Sequence, residues 1–71
     1  MKIYKTEYEV SSAEGNRVKH GAYSLALMDF EDRRCHGDNS IAITEYAYSK
    51  NGFKTKEFRT VVKEFKQMGF Y

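Results

Sequence analysis

The stretch YSLALMDFEDRRCHGDN, residues 23–39, holds the side chains best suited to chemistry: Cys35, the single cysteine, precedes His36, and Asp38 follows across Gly37. A metal ion takes three or four ligands, and Cys35, His36 and Asp38 with the distant His20 are of the right donor types. The spacing is wrong for it. Side chains of adjacent residues on an extended chain point apart, and neither a CxxC nor an HxxxH pair is present, so the expectation is a polar loop with a free thiol. Cys35 with His36 would also serve as a thiolate and its base, but such pairs are brought together from separate segments. The two arginines that would lower the thiol pKa are offset by Glu31, Asp32 and Asp38. The carboxylate pairs Glu7/Glu9 and Glu31/Asp32 sit in no apolar surroundings that would raise a pKa for acid catalysis. GxxxxGK[ST], GxGxxG and GxSxG are all missing. The sequence therefore calls for no enzyme, no catalytic residue, no metal and no cofactor.

What remains is surface. Lys54, Lys56, Arg59, Lys63 and Lys66 crowd the C-terminal third, where six basic residues from position 50 onward face only Glu57 and Glu64, whereas residues 1–49 carry six basic against eight acidic ones. With Tyr46 and Tyr48 nearby they form the set used by small single-stranded DNA or RNA binders, in which bases stack on rings and cations follow phosphates. A net charge of +2 is too small to require such a partner, and Glu7 and Glu9 would repel phosphate. A face carrying Tyr46, Tyr48, Met28, Lys5 and Thr44 among mixed charges suits a protein partner, or a second copy of the chain, better. The leading expectation is a non-enzymatic protein-binding module: a small accessory regulator or inhibitor of a larger protein complex, of the kind phages and mobile elements encode. The alternative is a small nucleic-acid-binding domain using the basic C-terminal segment.

These residues need a scaffold, and 71 residues allow one small domain with a modest core. Hydrophobic residues at 41% against 31% charged exclude wholesale disorder, and six Tyr with five Phe supply large buried area per residue. A lone cysteine cannot form an internal disulfide, and the apolar run AYSLALM is too short to span a bilayer, so a cytoplasmic protein with a reduced thiol and no membrane partner is expected.

Residues 3–10 alternate as a strand, with Tyr4, Thr6, Tyr8 and Val10 on one face. A turn at Gly15-Asn16 would set Tyr4, Thr6 and Tyr8 opposite Leu27, Leu25 and Tyr23 in a second strand, with Ala26 and Met28 facing outward. The alternative is a helix over 22–34, which lacks a good start signal at Gly21-Ala22. The run DNSIAITEYAYS reads as a further strand with Ile41, Ile43, Glu45 and Ala47 on one face and Thr44, Tyr46 and Tyr48 on the other, closed by the turn signal Asn51-Gly52. Phe58, Val61, Val62, Phe65 and Met68 recur at helical spacing, with Thr55 as N-cap and Gly69 as stop, so the last segment reads as an amphipathic helix. A strand pairing back across Asn51-Gly52 is the competing interpretation of that segment. The expected architecture is α+β: an antiparallel meander of about three strands packed on one C-terminal α-helix.

Overall fold

The structure, a computed structural model, describes residues 2–66. The chain runs β1 (Lys2–Ser12), β2 (Arg17–His20), α1 (Tyr23–Cys35), β3 (Ser40–Asn51) and β4 (Lys54–Lys66), and the strands form one antiparallel sheet in the order β2-β1-β3-β4. The fold is thus mostly β, with its helix in the middle of the chain. Both differences from the expected meander have physical causes.

The first lies in β4. Phe58 pairs with Ala47 and Phe65 with Ile41, so both phenylalanines share the sheet face that carries Ile41 although they are seven residues apart. A regular strand would put such residues on opposite faces. Between Ile43 and Thr44 the register shifts: Ile43 meets Lys63, Thr44 meets Val61, and Val62 is the extra residue of a β-bulge. One inserted residue therefore lets a strand imitate helical spacing. The loop that returns the chain is Gly52-Phe53, since Asn51 pairs with Lys54; Gly52 takes φ +64° at the first loop position, as a type II′ turn demands. The expected helical positions Met68 and Gly69 lie outside the described residues.

The second difference is α1. Pairing of β2 with β1 stops at His20 opposite Tyr8, three residues out of the register expected from sequence. Residues 23–35 then turn helical. Ala22 provides no capping side chain, which is why the start is invisible in sequence, yet Leu, Ala, Met, Glu and Arg favour the helix and Asp29 pairs with Arg33 one turn on. Tyr23 still meets Tyr8, edge to face at 5.5 Å between ring centres, from the helix start and not from a strand.

The core is Ala26 and Phe30 of α1 against Val10, Ile41 and Ile43, flanked by Tyr8, Leu27 and Phe65. Ala26, expected on an outer sheet face, is buried. Residues opposite one another share a face, so Val10, Ile41, Ile43 and Phe65 define the side under α1, and Lys5, Glu7, Glu9, Thr44, Tyr46, Tyr48, Glu57 and Arg59 define the open side. The alternation expected within β3 is the one observed.

Phe30→Ala is expected to cost ~3–5 kcal/mol through a core cavity, enough to unfold most molecules of so small a domain. Deleting Val62 is the sharper check on β4. With the bulge removed, Phe58 and Phe65 keep their faces, so the thermal midpoint should move by no more than about 5 °C, roughly 1 kcal/mol at this size. A collapse of stability would show that residues 58–65 are not held as a bulged strand.

Candidate functional surface

The sequence CHGD ends the helix. His36 is the C-cap residue and Gly37 takes φ +92°, the left-handed conformation that a side chain resists. The Gly37 N–H donates to the Arg34 carbonyl at 3.1 Å and the Asp38 N–H to the Arg33 carbonyl at 3.1 Å, the paired bonds of a Schellman stop. The His36 ring donates through Nδ1 to the Asp32 carbonyl at 2.7 Å; that bond, with the Asp32 and Asp38 charges, raises its pKa above the usual histidine value. Cys35 is exposed. Among the described residues, no three His, Cys, Asp or Glu side chains gather in a way that could hold a metal ion.

Asp38 and His20 instead belong to a network that sequence inspection missed. The Asp29 carboxylate accepts from His20 Nε2 at 2.9 Å and from Arg33 Nε at 3.0 Å. Arg33 Nη1 also donates to Ser12 Oγ at 2.7 Å and to the Asn16 carbonyl at 2.9 Å, and Ser12 Oγ donates to Asp38 at 3.1 Å. Five side chains thus tie β1, β2, α1 and the α1–β3 loop together. Burial alone would raise the Asp29 pKa, but the bonds from His20 and Arg33 and their charges outweigh it and hold the carboxyl below its usual range. The chemistry is structural: a charged clasp beside the core.

The open side of the sheet carries the surface candidates. Tyr46 sits at its centre between Glu7 on β1 and Arg59 on β4, and it is only 8% exposed. Lys19 Nζ lies 4.8 Å and the Arg59 guanidinium 5.3 Å from the centre of its ring, and its hydroxyl donates to Glu9 at 3.2 Å. Burial, then the Glu9 bond and charge, raise the phenol pKa against the opposing pull of Arg59 and Lys19. Tyr46 is therefore a fixed centrepiece and not a free ring. Tyr48, half-buried, has Lys5 Nζ 5.8 Å from its ring centre, and Thr44 lies two residues away on the same face.

The structure brings Tyr46, Tyr48, Thr44 and Lys5 together and leaves Met28 apart: that residue is 69% exposed on α1. The basic set divides as well. Arg59 and Lys66 share the open side, whereas Lys54, Lys56 and Lys63 point to the side of α1, so no single basic helix face exists. Lys63 Nζ is 5.2 Å from the Phe30 ring and Arg34 lies 5.0 Å from Phe65, cations covering the rim of the core. No helix among the described residues is long and apolar enough to cross a membrane. No protein-family model, no curated protein and no solved structure matches this chain.

The clasp predicts an acid signature. A carboxyl whose folded pKa is depressed contributes stability above the unfolded value of about 4, and that contribution disappears as pH falls through the lower folded value. Asp29→Asn should cost about 1–2 kcal/mol at neutral pH and flatten the loss of stability below about pH 4, read by denaturant unfolding across pH. Parallel pH curves for the two proteins would contradict the clasp.

Proposed function

We propose that this chain is a non-enzymatic protein-binding module that acts by occupying a partner's surface with the open side of its sheet around Tyr48, Lys5 and Thr44. The observation that carries the proposal is the clamp on Tyr46. Lys19, Arg59 and Glu9 fix one ring in the middle of a four-stranded face, so the surrounding patch is rigid before any partner arrives and loses little freedom on binding.

Charge favours a protein over a polyanion on this face. Around Tyr46 and Tyr48, Lys5, Arg17, Lys19 and Arg59 alternate with Glu7, Glu9, Glu57 and Glu64, while Lys2, Lys50 and Lys66 lie farther out at the two ends of the same side; the Lys5–Glu7 and Arg59–Glu57 pairs stand at 3.5 and 3.3 Å. A surface of mixed sign selects a partner of complementary mixed sign, whereas four carboxylates penalise a phosphate chain. Exposed Val61 adds apolar area near the outer strand. Regulation or inhibition of a larger complex is the role such a module fits, because covering a surface needs binding residues and no catalytic apparatus.

Tyr46 and Tyr48 should separate fold from function. Tyr46→Ala removes the clamped centrepiece and is expected to lower stability by at least about 2 kcal/mol. Tyr48→Ala should leave the thermal midpoint within a few degrees while weakening the partner complex by about 2 kcal/mol or more. The measurement is affinity capture from the native host with wild-type and Tyr48→Ala chains, with and without nuclease, followed by titration of the captured protein. Capture that survives nuclease and fails with Tyr48→Ala is the expected result. Capture lost to nuclease, or indifferent to Tyr48→Ala, would reject this reading.

A further inference from the structure

The sheet outruns its helix, and what projects is basic. At this distal end lie Lys2, Lys5, Lys50, Lys54 and Lys56 with only Glu7 and Glu57, so the remaining sequence, with seven basic and eight acidic residues, has no positive excess of its own. The hairpin tip from Ser49 to Lys56 holds three lysines and no acid. At its extreme, Phe53 follows Gly52 in the two-residue loop and is fully exposed. Nothing in the tight turn requires an aromatic there; Gly52 alone supplies the positive φ.

The lysines divide between the two faces. Lys50 and Lys2 are opposite one another and Lys5 is opposite Tyr48, all on the open side, while Lys54 and Lys56 are opposite Asn51 and Ser49 on the side of α1. A phosphate chain running along one face would leave two or three of these five cations unpaired. An acidic protein surface has the same defect. Two phosphate chains, one on each side of the sheet end, pair with both sets, and duplex DNA presents that arrangement as the walls of its major groove. That groove, about 12 Å wide, admits a β-ribbon, whereas the major groove of duplex RNA is too narrow.

We propose that the β3–β4 end of the sheet enters the major groove of double-stranded DNA, with Lys50, Lys54 and Lys56 against the phosphates of the two walls and Phe53 leading toward the base edges. An apolar ring meets thymine methyl groups there and reads little else, so sequence preference is weak and affinity is mostly electrostatic. The contacts proposed here, Lys50, Lys54, Lys56 and Phe53, do not include Tyr48 or Lys5, so each set can be altered alone although Lys50 shares the open side with Tyr48.

The test is fluorescence anisotropy of the full chain with a short labelled DNA duplex over a series of salt concentrations. The log–log salt slope should be about −3 to −5, each neutralised phosphate contributing about −0.9. Joint change of Lys50, Lys54 and Lys56 to Gln should lower its magnitude by about 3, each lost contact removing roughly one. Phe53→Ala should weaken binding at least about tenfold and leave the slope unchanged, since it removes an apolar contact and no charge. Both variants should keep the wild-type circular dichroism, because Lys50, Phe53 and Lys54 are exposed and Gln at position 56 retains part of the aliphatic stem that lies over Phe58. Tyr48→Ala should bind duplex normally, so failure of the protein-partner reading leaves this result intact. Tighter binding to the matching single strand, to an acidic polypeptide or to anionic vesicles would overturn the proposal, as would duplex binding unaltered by the triple change or by Phe53→Ala.

Discussion

Phe30 and Ala26 of α1 pack onto Val10, Ile41 and Ile43, and the reach of that contact sets the character of the whole molecule. A 13-residue helix is about 20 Å long, while strands of 12 and 13 residues run about 40 Å. One helix can therefore bury only half of one face. The dimensions of 54 × 22 × 17 Å express the mismatch, with a packed body at one end and a sheet extension at the other. Aromatic and cationic side chains shield the sheet beyond the helix: Lys56 over Phe58, Lys5 over Tyr48, and Lys19 with Arg59 over Tyr46. In so small a domain these contacts do part of what a second helix would do.

The same device makes the surface usable. Long charged side chains laid over rings order the open face without hiding its charge, so rigidity and mixed polarity coexist there. At the distal tip the balance shifts, with cations on both faces and an unshielded Phe53 between them. Two surfaces of different chemistry thus arise from one constraint, the shortness of α1.

What could be read in the sequence follows the locality of each signal. The alternation of Ile41, Ile43, Thr44, Tyr46 and Tyr48 stands without help from other elements and is as expected; a turn at this point is also signalled locally, but its loop is Gly52-Phe53, one residue beyond Asn51-Gly52. Helix α1 was a competing interpretation because Ala22 offers no cap and only tertiary contact with Ala26 and Phe30 decides the matter. Strand β4 was disguised by its bulge: Val62 displaces the parity so that Phe58 and Phe65 fall on one face at a spacing that also fits a helix. At the candidate surface, Tyr46, Tyr48, Thr44 and Lys5 were grouped correctly from strand parity alone, while Met28 was misplaced with the strand it was assigned to. Within the Asp29 clasp only the Asp29–Arg33 pair has a sequence pattern, the helical four-residue spacing; His20, nine residues from Asp29, and Ser12, which reaches it through Arg33, have none. CHGD reads in sequence as a polar loop with a free thiol; its role as the stop of a helix depends on α1, which the sequence offers only as the competing interpretation.

The division into a helix-braced body and an unbraced sheet extension is tested most directly by native-state hydrogen exchange, residue by residue. Local opening free energies follow buried apolar contact, so the amides of the ladder around Val10, Ile41, Ile43 and Phe65 should exchange only through global unfolding. Those between Ala47 and Phe58 should open at lower cost while remaining protected, as a paired but uncovered ladder does. Uniform protection along β3 and β4, or a helical exchange pattern across residues 55–66, would contradict the account.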